Sequence, residues 1–96
     1  MKGRRKPTTP GEILNEEFLK PLGMTQAALA SHLGCDVKVV NRIVNGRTSV
    51  TAEMAIRLGA AFRMSPEFWL NAQQAVNLCR AVRAIKEVPH PIKLTD

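Results

Sequence analysis

The sequence predicts an all-α fold of five helices carrying a helix-turn-helix, flanked by a flexible basic N-terminal arm and an extended C-terminal tail. Three observations predict it. Apolar residues recur at three- and four-residue spacing in separate stretches, and no stretch alternates apolar and polar residues long enough to make a strand. A capping residue stands before each stretch: Thr9, Thr25, Asp36, Thr51 and Ser65. Glycine and proline signals separate one stretch from the next.

Residues 1–8 are basic, with Lys2, Arg4, Arg5 and Lys6 beside glycine and proline, and read as a mobile arm. The first helix begins after it. Thr9, Pro10 and Glu12 form a T-x-x-E capping box with proline at the first helical position, where its missing N–H costs nothing. Ile13, Leu14 and Phe18 share one face of that helix. Pro21 disfavours helical backbone at the residue before it, which predicts an end near Leu19 and a turn at Leu22-Gly23.

Thr25 caps the second helix, rich in alanine, with Leu29 and Leu33 four residues apart on the inward side and Gly34 just past its end. Asp36 caps a short third helix whose inward residues are Val40, Ile43 and part of Val44, ended by Asn45-Gly46. Thr51 begins a fourth helix with Met54, Ala55, Leu58 and Phe62 at helical spacing. Its interior Gly59 permits close approach of a neighbour. Ser65-Pro66-Glu67 starts a fifth helix, in which Trp69, Ala72, Val76 and Cys79 make an apolar stripe reaching about Ile85. Pro89 and Pro91 are expected to stop it, and the residues from Val88 on read as an extended tail. The chain divides into the arm, a domain at 9–86 holding the helix-turn-helix at 25–44 and a dimerisation helix at about 66–85, and a tail at 87–96. Trp69 is expected in the core.

Ninety-six residues suit one compact domain, and 45% apolar with 23% charged residues excludes wholesale disorder. Lysine and arginine exceed aspartate and glutamate by 14 to 8, a formal +6, which makes a polyanion a plausible partner without deciding the point. The excess is also local: Lys38, Arg42 and Arg47 surround the third helix, near which the only acid is Asp36. Cys35 and Cys79 are far apart and belong to no metal-ligand pattern, so neither a disulfide framework nor a zinc site is expected. No run of about 18 apolar residues marks a membrane span. The charged start lacks the following apolar stretch of a signal peptide, and a cytoplasmic protein is expected.

The segment from Thr25 to Val44 carries the functional expectation. Ala30 is small where the second helix crosses the third, and Cys35, Val40 and Ile43 anchor the third against the body. Val37, Lys38, Val39, Asn41 and Arg42 then face outward. Arginine or lysine donates to guanine O6 and N7, asparagine pairs bidentately with adenine, and valine packs on a thymine methyl, so these residue types suit a helix in the major groove. Gln26 reaches a phosphate from the start of the second helix, while Arg47, Thr48 and Ser49 grip the backbone beyond the third. A capped helical hairpin also occurs in bundles that never meet DNA. Two exposed valines with asparagine and arginine argue against that alternative, because a merely solvated helix more often carries Glu–Lys pairs.

These residues resemble a known family. The run Thr25-Gln-Ala-Ala-Leu-Ala-Ser-His-Leu-Gly34 is similar to the helix-turn-helix of Xre/Cro-type phage repressors, whose fold is lambda-repressor-like. The resemblance is closer to the HigA-type antitoxins, also described as virulence-associated protein I-like. Pro10-Gly-Glu-Ile-Leu-x-Glu-Glu-Phe-Leu19, Asn41-Arg-Ile-Val-Asn-Gly-Arg47 and Ser65-Pro-Glu-Phe-Trp-Leu-Asn71 carry it. It spans roughly residues 9–80. It implies a homodimer that binds operator double-stranded DNA, represses its own operon and neutralises a HigB-type mRNA-cleaving toxin. Carried over by position, Gln26 holds phosphate and Lys38, Asn41 and Arg42 face bases. Ala28 stands where the family often has an acid, and Val37 and Val39 replace its polar or Pro/Thr choices, so operator sequence does not transfer. A stand-alone repressor of the Xre family, without a toxin partner, is the alternative.

The outer stripe of the fifth helix, Val76, Cys79 and Val82, is the expected dimer interface. His32 and His90 have no acid or nucleophile beside them in sequence, and Glu16 and Glu17 point in different directions, so no enzyme and no cofactor is expected. The arm has three open roles: minor-groove contact, protein contact or simple solvation.

Overall fold

The computed structural model describes residues 6–93 and contains, among them, helices and no strand. Lys2, Arg4 and Arg5 of the expected arm lie outside the described residues, as do 94–96 of the tail. The first helix, α1, spans residues 10–22 in three joined parts: α-helical Pro10–Ile13, π-helical Leu14–Leu19 and a last α turn, Lys20–Leu22. It is followed by α2 (Gln26–Leu33), α3 (Val37–Val44), α4 (Ala52–Phe62) and α5 (Pro66–Ala84). No helix among the described residues is long and apolar enough to cross a membrane.

The five expected caps are formed. Thr9 Oγ1 accepts the Glu12 N–H at 3.0 Å while the Glu12 carboxylate accepts the Thr9 N–H at 2.8 Å, completing the capping box. Thr25, Thr51 and Ser65 each accept from the N–H three residues on, and Asp36 accepts from Lys38 N at 2.8 Å.

The expected end of α1 near Leu19 is corrected. The helix passes through Pro21 because its middle is π-helical: the Lys20 N–H bonds Asn15 O, five residues back, so the hydrogen-bond register has already slipped by one where the proline ring enters. That slip displaces the carbonyl that a regular α-helix would press against the ring. Gly23 then ends the helix at φ 62°, with its own N–H on Lys20 O and the Met24 N–H on Leu19 O at 2.9 Å. The same paired bonds follow α2 at Gly34 (φ 78°). At the end of α4 the left-handed residue is Arg63, φ 58°, where a side chain must bear a conformation that glycine takes freely.

Leu14, Leu29, Val40, Leu58 and Trp69 are fully enclosed and bring all five helices to one core. Trp69 meets the expectation. Phe18, Phe62 and Phe68 surround it at ring-centroid distances of 5.6, 6.4 and 5.2 Å, the last edge-on. Two glycines mark close approaches. A Cβ on Gly11 would collide with the Ile43 carbonyl, so the start of α1 lies directly on the end of α3. A Cβ on Gly59 would stand 2.5 Å from Met64 O, so the approach expected there is made by the α4–α5 turn.

Two polar ties hold the hairpin in the body. Arg57 Nη1 on α4 donates to the Leu33 carbonyl at 2.6 Å, placing a cation at the C-terminal end of α2. Its Nη2 also meets Glu53 at 2.8 Å. Gln73 on α5, 7% exposed, accepts the Val50 N–H at 2.9 Å and donates to Asn77 at 3.0 Å. The segment after α3 is thereby fastened to α5.

Candidate nucleic-acid interface

The turn between α2 and α3 is only Gly34, Cys35 and Asp36, and its left-handed glycine reverses the chain without a Cβ clash. Cys35 is half-buried and packs on the core. At about 100° per residue, Val37, Asn41, Asn45, Lys38 and Arg42 fall within one arc of α3 of roughly 140°, opposite the buried Val40 and Ile43. All five are exposed, Val37 by 43%.

Val39 departs from the expected outward set. It lies roughly 60° past Arg42 around the helix, and it is half-buried against the core. Its position sets it on the shoulder of α3, beside the outward face. Arg47, Thr48 and Ser49 are exposed in the turn beyond α3, where the Arg47 N–H bonds Arg42 O at 2.8 Å. Gln26, at the first turn of α2, is brought onto the same side: its Oε1 accepts from Asn41 Nδ2 at 3.1 Å, and Asn41 Oδ1 accepts from Asn45 Nδ2 at 3.2 Å.

A chain of three amides thus crosses from α2 to the end of α3. Asn45 was not anticipated as part of it, although its place four residues after Asn41 is the signal that finds it. Gln73 was missed too. Its signal is a polar residue at the middle of the i, i+4, i+7 stripe of Trp69 and Val76.

The outward face is cationic. Asp36, the only acid at α3, accepts the Lys38 N–H with its Oδ1 in its capping role. Among the described residues the ion pairs are Lys20–Glu16 and Arg57–Glu53, so Lys38, Arg42 and Arg47 have no carboxylate partner there. Glu16 has its carboxyl held below the usual carboxylate range by the hydrogen bond from Lys20, with Lys20's charge and Asn15 adding to it. That pair sits on α1.

The dimer expectation is corrected in part. Val76 is buried, 6% exposed, because α5 runs beside the start of α1 and turns Val76 toward Pro10 and Gly11. Cys79 is half-buried and Val82 is 60% exposed. The outward apolar residues there are instead Leu78 and Val82, four apart on α5, with Ile85 just past its end. His32 and His90 are both exposed. Among the described residues no three His, Cys, Asp or Glu side chains stand close enough to hold a metal ion.

A helix-turn-helix family model matches residues 16–69 of the chain. Over 77 residues the chain is 47% identical to antitoxin HigA-1 of Vibrio cholerae serotype O1, an overlap of 80% of this chain and 72% of that protein. Among solved structures, the Pseudomonas aeruginosa antitoxin HigA with the higBA promoter superposes with a TM-score of 0.79 at 44% identity, covering 81% of this chain and 85% of that one. Antitoxin GraA in complex with its operator superposes with a TM-score of 0.73 at 38% identity, covering 94% and 99%.

Proposed function

The chain belongs to the helix-turn-helix family, among its HigA-type antitoxins, and from that membership we propose that it is a DNA-binding antitoxin that represses its own operon as a homodimer and neutralises a HigB-type mRNA-cleaving toxin. The observation that carries the DNA reading is the outward arc of α3: Val37, Lys38, Asn41 and Arg42 are exposed, and the two cations among them, Lys38 and Arg42, join no ion pair among the described residues. Base edges in the major groove fit those groups. Relatives of this fold solved with a promoter or an operator support DNA as the partner.

In this reading Lys38, Asn41 and Arg42 contact bases, and Val37 meets a thymine methyl with Val39 beside it. Gln26, Arg47 and Thr48 hold the phosphates that fix register. Two copies place their α3 helices in successive major grooves about 34 Å apart on a palindromic site. Leu78 and Val82 on α5, with Ile85 just past its end, form the two-fold contact, with Cys79 at its edge.

The domain that does this is residues 9–86, with the arm and tail outside it. It works in the cytoplasm, without cofactor and without catalysis of its own. Footprinting of the region upstream of the gene tests the reading: a protected palindrome supports it, and no protection above that of bulk DNA rejects it. A co-encoded ribonuclease-like protein captured with the chain from its native cell separates the antitoxin from a stand-alone repressor.

A further inference from the structure

The cationic surface continues from the turn after α3 onto α5. Arg80 lines one narrow closure together with Gly46 and Thr48 of that turn. It also lines a wider cleft with Lys6 and Asn45. Arg83, nearly one helical turn further along α5, borders the adjoining cleft with Lys6 and Arg80. Lys6 and Arg80 stand 74 positions apart in sequence (80 less 6), yet the packing of α1 against α5 brings them to one concave surface.

Neither Lys6, Arg80 nor Arg83 joins an ion pair among the described residues. The carboxylate facing the cleft is Glu12, and its Oε1 is engaged by the Thr9 N–H at 2.8 Å as half of the capping box. Three cations around a concavity repel one another and raise its potential, and a polyanion lying along it relieves both effects.

We propose that Arg80, with Lys6 and Arg83, is a phosphate clamp that extends the DNA interface from α3 onto α5. The proposal rests on the DNA reading of α3. The occupant is a sugar-phosphate backbone rather than the acidic face of a protein, because the cleft is lined by Asn45 and Gly46 at the end of the α3 interface, and Arg80 also lines the narrow closure with Thr48 of the same turn. Arg80 extends the grip of Arg47 and Thr48 on the backbone, since it lines one closure with Thr48. It contributes affinity and register and reads no base.

The test is the salt dependence of binding by the full chain to two probes, a duplex from upstream of its gene and a shuffled duplex of equal length. The proteins compared are wild type, Arg80→Gln, Arg80→Lys and Arg42→Ala. One lost phosphate contact makes the log–log slope shallower by about 0.9. The clamp predicts that change for Arg80→Gln on both duplexes, a near-wild-type slope for Arg80→Lys, and a larger loss for the Lys6→Gln, Arg80→Gln, Arg83→Gln triple variant. Arg80 is exposed, and a circular dichroism spectrum matching wild type verifies the fold of each variant.

Equal slopes for wild type and Arg80→Gln overturn the clamp, and the α3 reading survives if Arg42→Ala loses selectivity in the same experiment. A slope that is unchanged while capture of a co-encoded toxin is lost assigns the cleft to a protein and also overturns it. Wild type that binds neither duplex removes the DNA reading, and the clamp with it.

Discussion

Asn41 donates a side-chain N–H to Gln26 Oε1 at 3.1 Å, joining α2 to α3 on the outward side of the hairpin. Asn41 Oδ1 meanwhile accepts from Asn45. An asparagine amide has two N–H donors and two acceptor sites, so Asn41 keeps one of each, oriented by its neighbours. One donor and one acceptor side by side are what an adenine edge takes. Gln26 is therefore predicted to act partly through Asn41. In a cycle of Gln26→Ala, Asn41→Ala and the double variant, operator affinity should show a coupling of about 1 kcal/mol. Additive losses contradict the relationship.

Gln73 fastens the turn that carries Arg47 and Thr48. Replacing it with leucine leaves the Val50 N–H without its buried acceptor, at a cost of about 1–3 kcal/mol in urea unfolding. DNA affinity should fall with it, on any sequence, since the turn is expected to hold phosphate. Unchanged stability shows that the buried bond is replaced by another.

Arg63 carries a left-handed backbone at the end of α4 where Gly23 and Gly34 close the ends of α1 and α2. Arg63→Gly should raise unfolding free energy by about 1 kcal/mol, the relief of that conformation less the added freedom of the unfolded chain. Operator affinity should stay as it was. A destabilised variant means that the Arg63 side chain makes a contact worth more than the strain.

Leu78 and Val82 on α5, with Ile85 just past its end, present apolar side chains outward. Val82→Glu places a charge in the middle of any two-fold contact there and should give a monomer by sedimentation at micromolar concentration, where a dimer is predicted for wild type. A wild-type monomer removes the α5 interface. Val76→Glu gives a different result, loss of folding, because Val76 is inside the subunit.

The sequence carried the helix starts almost without error because each depends on a local chemical event: a hydroxyl or carboxylate of Thr9, Thr25, Asp36, Thr51 or Ser65 meeting an N–H two or three residues on. Helix ends at Gly34 and Gly46 were legible for the same reason. The continuation of α1 through Pro21 was not, since a one-residue slip in hydrogen-bond register leaves the pattern of apolar residues unchanged. Val39 and Val76 were misplaced for a third reason. A helical stripe tells which residues share a face, but which shoulder of α3 meets the core, and which side of α5 meets α1, is settled by packing between segments distant in sequence.

The face of α3 as a reader of base edges is tested most directly by Arg42→Ala, measured on operator and shuffled duplex in parallel. Arg42 is exposed, and no ion pair is lost with it among the described residues. The account predicts a loss of about 1–3 kcal/mol on the operator and a much smaller one on the shuffled sequence. Equal losses on the two duplexes, or none on either, contradict it.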